Sequence, residues 1–181
     1  MKSELHIAKA LWRDLYASAA IADAQRFLKL IQSTSDPEVK WPLWIAFITS
    51  YARPFTNNAD MGMISNKAIP KELRDLHKSL TQARDLLYGH TDPLETLDDG
   101  LEANQLFVEK RGDQIYPVAL TLCPDDSEII RIHSLLNALS DDLVARTEDG
   151  RNRMAEKLKG AQDGTYKFTY PKATAEPNCE G

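Results

Sequence analysis

Apolar side chains recur three or four positions apart along most of the chain, and each such run predicts a helix. From about Ser3 to Gln32, Ile7, Ala10, Leu11, Leu15, Ala19, Ala22, Leu28 and Ile31 carry this spacing through alanine-rich stretches without a proline. A long first helix follows. Ser33-Thr34-Ser35-Asp36-Pro37 breaks the pattern, and the nearly continuous apolar run around Trp41, Leu43, Trp44, Ile45, Phe47 and Ile48 predicts a second, deeply buried helix. Arg53-Pro54 ends it, because proline disfavours helical geometry at the residue before it; a polar loop through Asn57, Asn58 and Asn66 comes next.

Pro70 suits the first turn of a third helix, with Glu72 and Asp75 placed to complement its dipole. Leu73, Leu76, Leu80, Ala83 and Leu87 form a narrow seam of the kind used in bundles, and Gly89 is a natural stop. After Asp92-Pro93 the pattern changes. Leu106-Phe107-Val108 and Ile115-Tyr116-Pro117-Val118-Ala119-Leu120 flank Gly112-Asp113, which predicts a β-hairpin whose second strand is kept to an edge by Pro117. A last helix begins near Asp125-Asp126-Ser127, carries Ile129, Ile132, Leu135, Leu136, Leu139 and Leu143, and continues past Gly150 to Leu158. The expected fold is mainly α: an antiparallel bundle of four main helices over residues 1–162, with a hairpin and loop insertion at 93–124 between helices three and four. The Pro-, Gly-, Thr- and Lys-rich stretch 163–181 is expected to be a loosely held tail.

Composition narrows the classes of function. With 181 residues, 43% hydrophobic and 27% charged, the chain suits one globular domain and not a disordered segment. A net charge of −5 argues against a protein that coats nucleic acid or an anionic membrane, while leaving room for a local basic pocket. No stretch approaches the roughly 20 apolar residues of a membrane span, and the polar start Met1-Lys2-Ser3-Glu4 lacks a signal peptide's apolar core, so a cytoplasmic protein is expected. Cys123 and Cys179 lie far apart and read as reduced thiols.

The densest chemistry lies at the end of helix three, in Gln82-Ala83-Arg84-Asp85-Leu86-Leu87-Tyr88-Gly89-His90-Thr91-Asp92. Arg84 is a permanent cation able to grip phosphate with two donors, and His90 exchanges a proton near neutral pH. On an unbroken helix the two would stand about 240° apart, so a change of backbone path at Gly89 is needed to bring them together. His77, two turns before Arg84, and Arg74, one turn earlier, extend a polar stripe beside the leucine seam. By spacing alone, an Arg-Asp pair on a helix flank and a histidine past a glycine stop are also ordinary surface features. Arg53, in the polar-aromatic stretch Tyr51-Ala52-Arg53-Pro54-Phe55, is a candidate second cation, and its segment equally serves to turn the chain. His6, His77, His90, His133 and Cys123 lack the paired spacing of a metal site, so neither metal nor cofactor is expected. Trp12, Trp41 and Trp44 fall within apolar helix patterns and read as core or interface bulk. No P-loop, dinucleotide-binding glycine turn or nucleophile elbow is present.

The string from Ala83 to Asp92, with Arg84 followed by a polar residue and His90 after five intervening positions, resembles the R-x(4–6)-H signature of the HEPN superfamily, in its abortive-infection and related branches. The likeness is close over about ten residues and loose, by helix order, over positions 3 to 160. It implies a helical bundle that dimerises, with two motifs meeting in a cleft, and a metal-independent endoribonuclease of a phage-defence or toxin type. Under that resemblance Arg84 stabilises the charge of the pentacoordinate phosphate, His90 serves as acid or base or orients the RNA, and Asp85 positions either partner. Arg53, His77, Arg74, Tyr88 and Asp92 would complete the binding surface. Asp92 stands where toxins modified by a partner nucleotidyltransferase carry a tyrosine, which disfavours that branch. Other HEPN-like proteins bind a nucleotide or a protein without cutting, and the same residues admit that function. A homodimer with RNA or a nucleotide as ligand is expected either way; an antitoxin partner has no signature in the sequence.

Overall fold

The computed structural model of the chain describes residues 2–56, 62–84, 107–118 and 124–168. It is mainly helical: α1 spans Lys2–Ser33, α2 Pro37–Ala52, α3 Arg74–Ala83 and α4 Asp126–Lys157. Two short strands, β1 (Phe107–Arg111) and β2 (Gln114–Val118), pair antiparallel with Phe107 opposite Val118 and Arg111 opposite Gln114. Gly112 turns the chain between them at φ 62°, a backbone region that costs a residue with a Cβ. No described helix is long and apolar enough to cross a membrane.

The helix ends follow local chemistry. Asp36 caps α2 by accepting from the Glu38 amide at 2.9 Å, so Pro37 opens that helix as well as closing the preceding break. Pro42 lies inside α2, where its missing N–H would have served the carbonyl of Glu38, an exposed residue that water can satisfy. Asp125 caps α4 through the Glu128 amide at 2.8 Å. Pro70 does not enter α3 as expected: it precedes a 3-10 turn, Lys71–Leu73, and the α-helix starts at Arg74.

Helices α1 and α4 run antiparallel, since Leu11 meets Gly150, Asp14 meets Arg146 and Gln32 meets His133. Their facing sides, with α2 and α3, enclose one core that includes Ile21, Leu28, Phe47, Ile48, Tyr51, Leu76, Leu80, Leu135, Leu136 and Leu139. The buried face of α1 is the expected one at Ile7, Leu28 and Ile31 and differs in the middle of the helix. Leu15, Ala19 and Ala22 lie on the exposed side, and Ala17, Ala20, Ile21 and Ala24 take the inner one. Alanine is apolar on either face, so an alanine-rich helix leaves its own rotation weakly specified. Gly150 lets the α1 and α4 backbones approach, for a Cβ there would stand 3.1 Å from Leu11 Cδ1. Residues 163–168 of the expected tail are exposed, apart from any element; 169–181 lie outside the described residues, as do 85–106 and 119–123 of the segment between α3 and α4.

Candidate functional site

An aromatic column fixes the meeting of α2 and α3. Trp44, Phe47, Tyr51 and Phe55 succeed each other at helical spacing, so their rings share the inner face of α2 and the 3-10 turn Arg53–Phe55 that continues it. Trp44 and Phe47 stack at 4.8 Å between ring centroids, and Phe55 meets His77 edge-on at 4.5 Å. The Tyr51 hydroxyl lies 2.6 Å from His77 Nδ1. Burial raises the tyrosine's proton affinity far above its ordinary value and lowers that of His77 to about 4. At neutral pH the imidazole is therefore uncharged, and it shares one hydrogen bond with the Tyr51 hydroxyl, whose direction follows the imidazole tautomer.

His77 thus departs from the solvent-facing stripe expected for it: it is 7% exposed and sits in the core beside Leu73, Leu76 and Leu80. Its four-residue step from Leu73 and three-residue step to Leu80 place it in the seam. The contact holds the turn bearing Arg53 against α3. Arg53 itself is exposed; Thr56 Oγ1 donates to its carbonyl at 2.9 Å, and the Ile64 amide closes the loop on Pro54 at 3.0 Å.

Arg74 opens α3 and Arg84 follows its last residue as the C-cap. Ten residues of helix put them about 15 Å apart along the axis, too far to grip one phosphate together. Arg74 is exposed and Arg84 half-buried. Asp85, Tyr88, His90 and Asp92 lie outside the described residues. Among the described residues no group of three or more His, Cys, Asp or Glu side chains could hold a metal. His133 instead pairs with Gln32 at 3.0 Å.

A second cluster had no place among the expected site residues. Asp14, 5% exposed, is gripped by Arg146 through Nε at 3.3 Å and Nη2 at 2.5 Å, and by Arg13 Nε at 3.2 Å. Arg146 also reaches Asp142 at 3.4 Å, and Arg153 reaches Asp149 at 3.6 Å. Arg13, Asp14, Arg146, Asp149 and Arg153 border a recess of about 400 Å³ between α1 and α4. Three guanidiniums and two carboxylates line the recess, and Asp142 behind Arg146 supplies a third carboxylate, so the cluster as a whole is close to neutral and braces the two helices. Its signal was in the sequence: Ile7, Asp14, Ala17, Ile21, Ala24, Leu28 and Ile31 follow each other at steps of seven, three and four, which sets a carboxylate in an apolar seam.

Trp44 is buried and Trp41 packs against the core, whereas Trp12 is 49% exposed. Trp12 therefore belongs to a surface groove and not to the core.

No family model matches the chain, and comparison with curated proteins and with solved structures yields no match.

Proposed function

We propose that the chain is a HEPN-like helical bundle whose functional centre is the end of α3, where Arg84 and His90 promote metal-independent cleavage of RNA. The single observation that carries the reading is the position of Arg84 as C-cap of a bundle helix, with the motif continuing directly from it. In the proposed reaction the 2′-hydroxyl of RNA attacks the adjacent phosphorus and the 5′-oxygen of the next nucleotide leaves. His90 takes the proton from the attacking hydroxyl or gives one to the leaving oxygen. Arg84 stabilises the added negative charge of the pentacoordinate phosphorane, and Asp85 orients one of them. Arg53, carried on the turn that Phe55 fastens to α3, contributes to phosphate binding, and two copies of the chain supply the cleft. A cytosolic defence or toxin module fits this chemistry, with any antitoxin partner still to be identified.

A second reading is favoured by the state of His77. His77, expected in the binding surface beside Arg84, is buried, uncharged and engaged by Tyr51, which leaves that surface one titratable group fewer and suits a module that binds a nucleotide or protein without cutting. Incubation of purified protein with cellular RNA separates the two. Cleavage abolished by Arg84→Ala and by His90→Ala, with helical content retained, supports the ribonuclease; absence of cleavage, and of toxicity on overexpression, removes it.

A further inference from the structure

Beyond the end of α4 the chain turns back on itself. Leu158 caps the helix, Gly160 takes φ 83°, and the Ala161 amide closes the reversal on Leu158 O at 2.9 Å. The Tyr166 hydroxyl donates to the Gln162 carbonyl, tethering the returning segment. Phe168 then lines a groove of about 310 Å³ with Ala8, Leu11, Trp12, Leu15 and Met154. Phe168 has thus come back to the level of Met154, before the helix end, and to the first half of α1.

This groove is apolar, and Trp12 and Leu15 keep 49% and 40% exposure. The returning sequence reads Tyr166-Lys167-Phe168-Thr169-Tyr170-Pro171, aromatic at every second position. Tyr166 stays outside the groove on its tether, while Phe168 and Tyr170 would stand about 7 Å apart in an extended segment at ~3.3 Å per residue. Ala8 to Leu15 covers about 10 Å of helix, so two aromatics fit within the length of the groove. The α1 side of the groove and this pattern stand at opposite ends of the chain, and Phe168 already joins them.

We propose that the groove between α1 and the end of α4 is a docking site for the chain's own C-terminal segment, with Phe168 as the anchor and Tyr170 as the next contact. The segment covers an apolar face that would otherwise be open to a second copy of the chain.

The test uses the full-length protein labelled with 5-fluorotryptophan. Its three tryptophans give three fluorine resonances, and Trp12→Phe assigns the one in the groove. Phe168→Ser and Tyr170→Ser are expected to shift the Trp12 resonance at every protein concentration and to leave those of Trp41 and Trp44, which report an intact bundle. A Trp12 resonance indifferent to both variants would overturn the proposal. So would one that moves with protein concentration in the unaltered chain, which would assign the groove to a second copy.

Discussion

Acidification should act on this fold through His77. The imidazole's fall from an ordinary 6.5 to about 4 corresponds to roughly 3 kcal/mol, at ~1.4 kcal/mol per pH unit. Its cause is burial at 7% exposure. A histidine with a lowered proton affinity in the folded state takes up its proton on unfolding. Its contribution is fully present above pH 6.5, declines as the pH falls, and is gone below about 4. Near pH 4.5 about 2.5 kcal/mol should have been lost. Urea unfolding of the unaltered protein and of His77→Gln, across pH 7.5 to 4.5, isolates this share from that of the carboxylates, because glutamine keeps an acceptor for Tyr51 and does not titrate. The unaltered protein should lose about 2.5 kcal/mol more than the variant over that range. Parallel pH dependences of the two proteins would refute the reasoning and would mean that the imidazole is solvated or protonated in the folded state.

Asp14→Ala should cost about 1–3 kcal/mol in denaturant unfolding, because it removes the buried carboxylate that Arg146 grips and leaves that guanidinium only Asp142, whereas Arg153→Ala on the exposed side should change stability by less than about 0.5 kcal/mol. Gly150→Val should lower stability by about 1–3 kcal/mol through overpacking against Leu11. Gly150→Ala should be near neutral, since a helix-propensity gain of about 1 kcal/mol offsets the close contact with the Leu11 side chain. Thr147 Oγ1 is buried with no hydrogen-bond partner, so Thr147→Val should raise the unfolding free energy by about 1 kcal/mol, and a loss of stability would contradict that assignment.

The helices were legible because their apolar seams are long and their ends carry strong caps; Asp36 and Asp125 each precede an element start and accept from its first turn. The rotation of α1 was harder to read, since its alanines satisfy both faces. His77 and Asp14 each occupy a seam position, so their burial was open to inference from spacing. Their partners were not: Tyr51 lies 26 residues from His77 and Arg146 lies 132 from Asp14, separations that only the packed bundle closes. Polar neighbours drew His77 into the expected polar stripe, although a neutral imidazole with one good donor is tolerated in a core. At the candidate centre the structure reaches only Arg84; Gly89 and His90 lie outside the described residues, and periodicity alone does not encode a backbone path past a helix end.

The termini left on cleaved RNA test the central proposal most directly. Attack by the 2′-hydroxyl under Arg84 and His90 should leave 2′,3′-cyclic phosphate and 5′-hydroxyl ends, in the presence of a metal chelator, and neither Arg84→Ala nor His90→Ala should produce them. Ends bearing 3′-hydroxyl and 5′-phosphate, or cleavage that survives both substitutions, would contradict it.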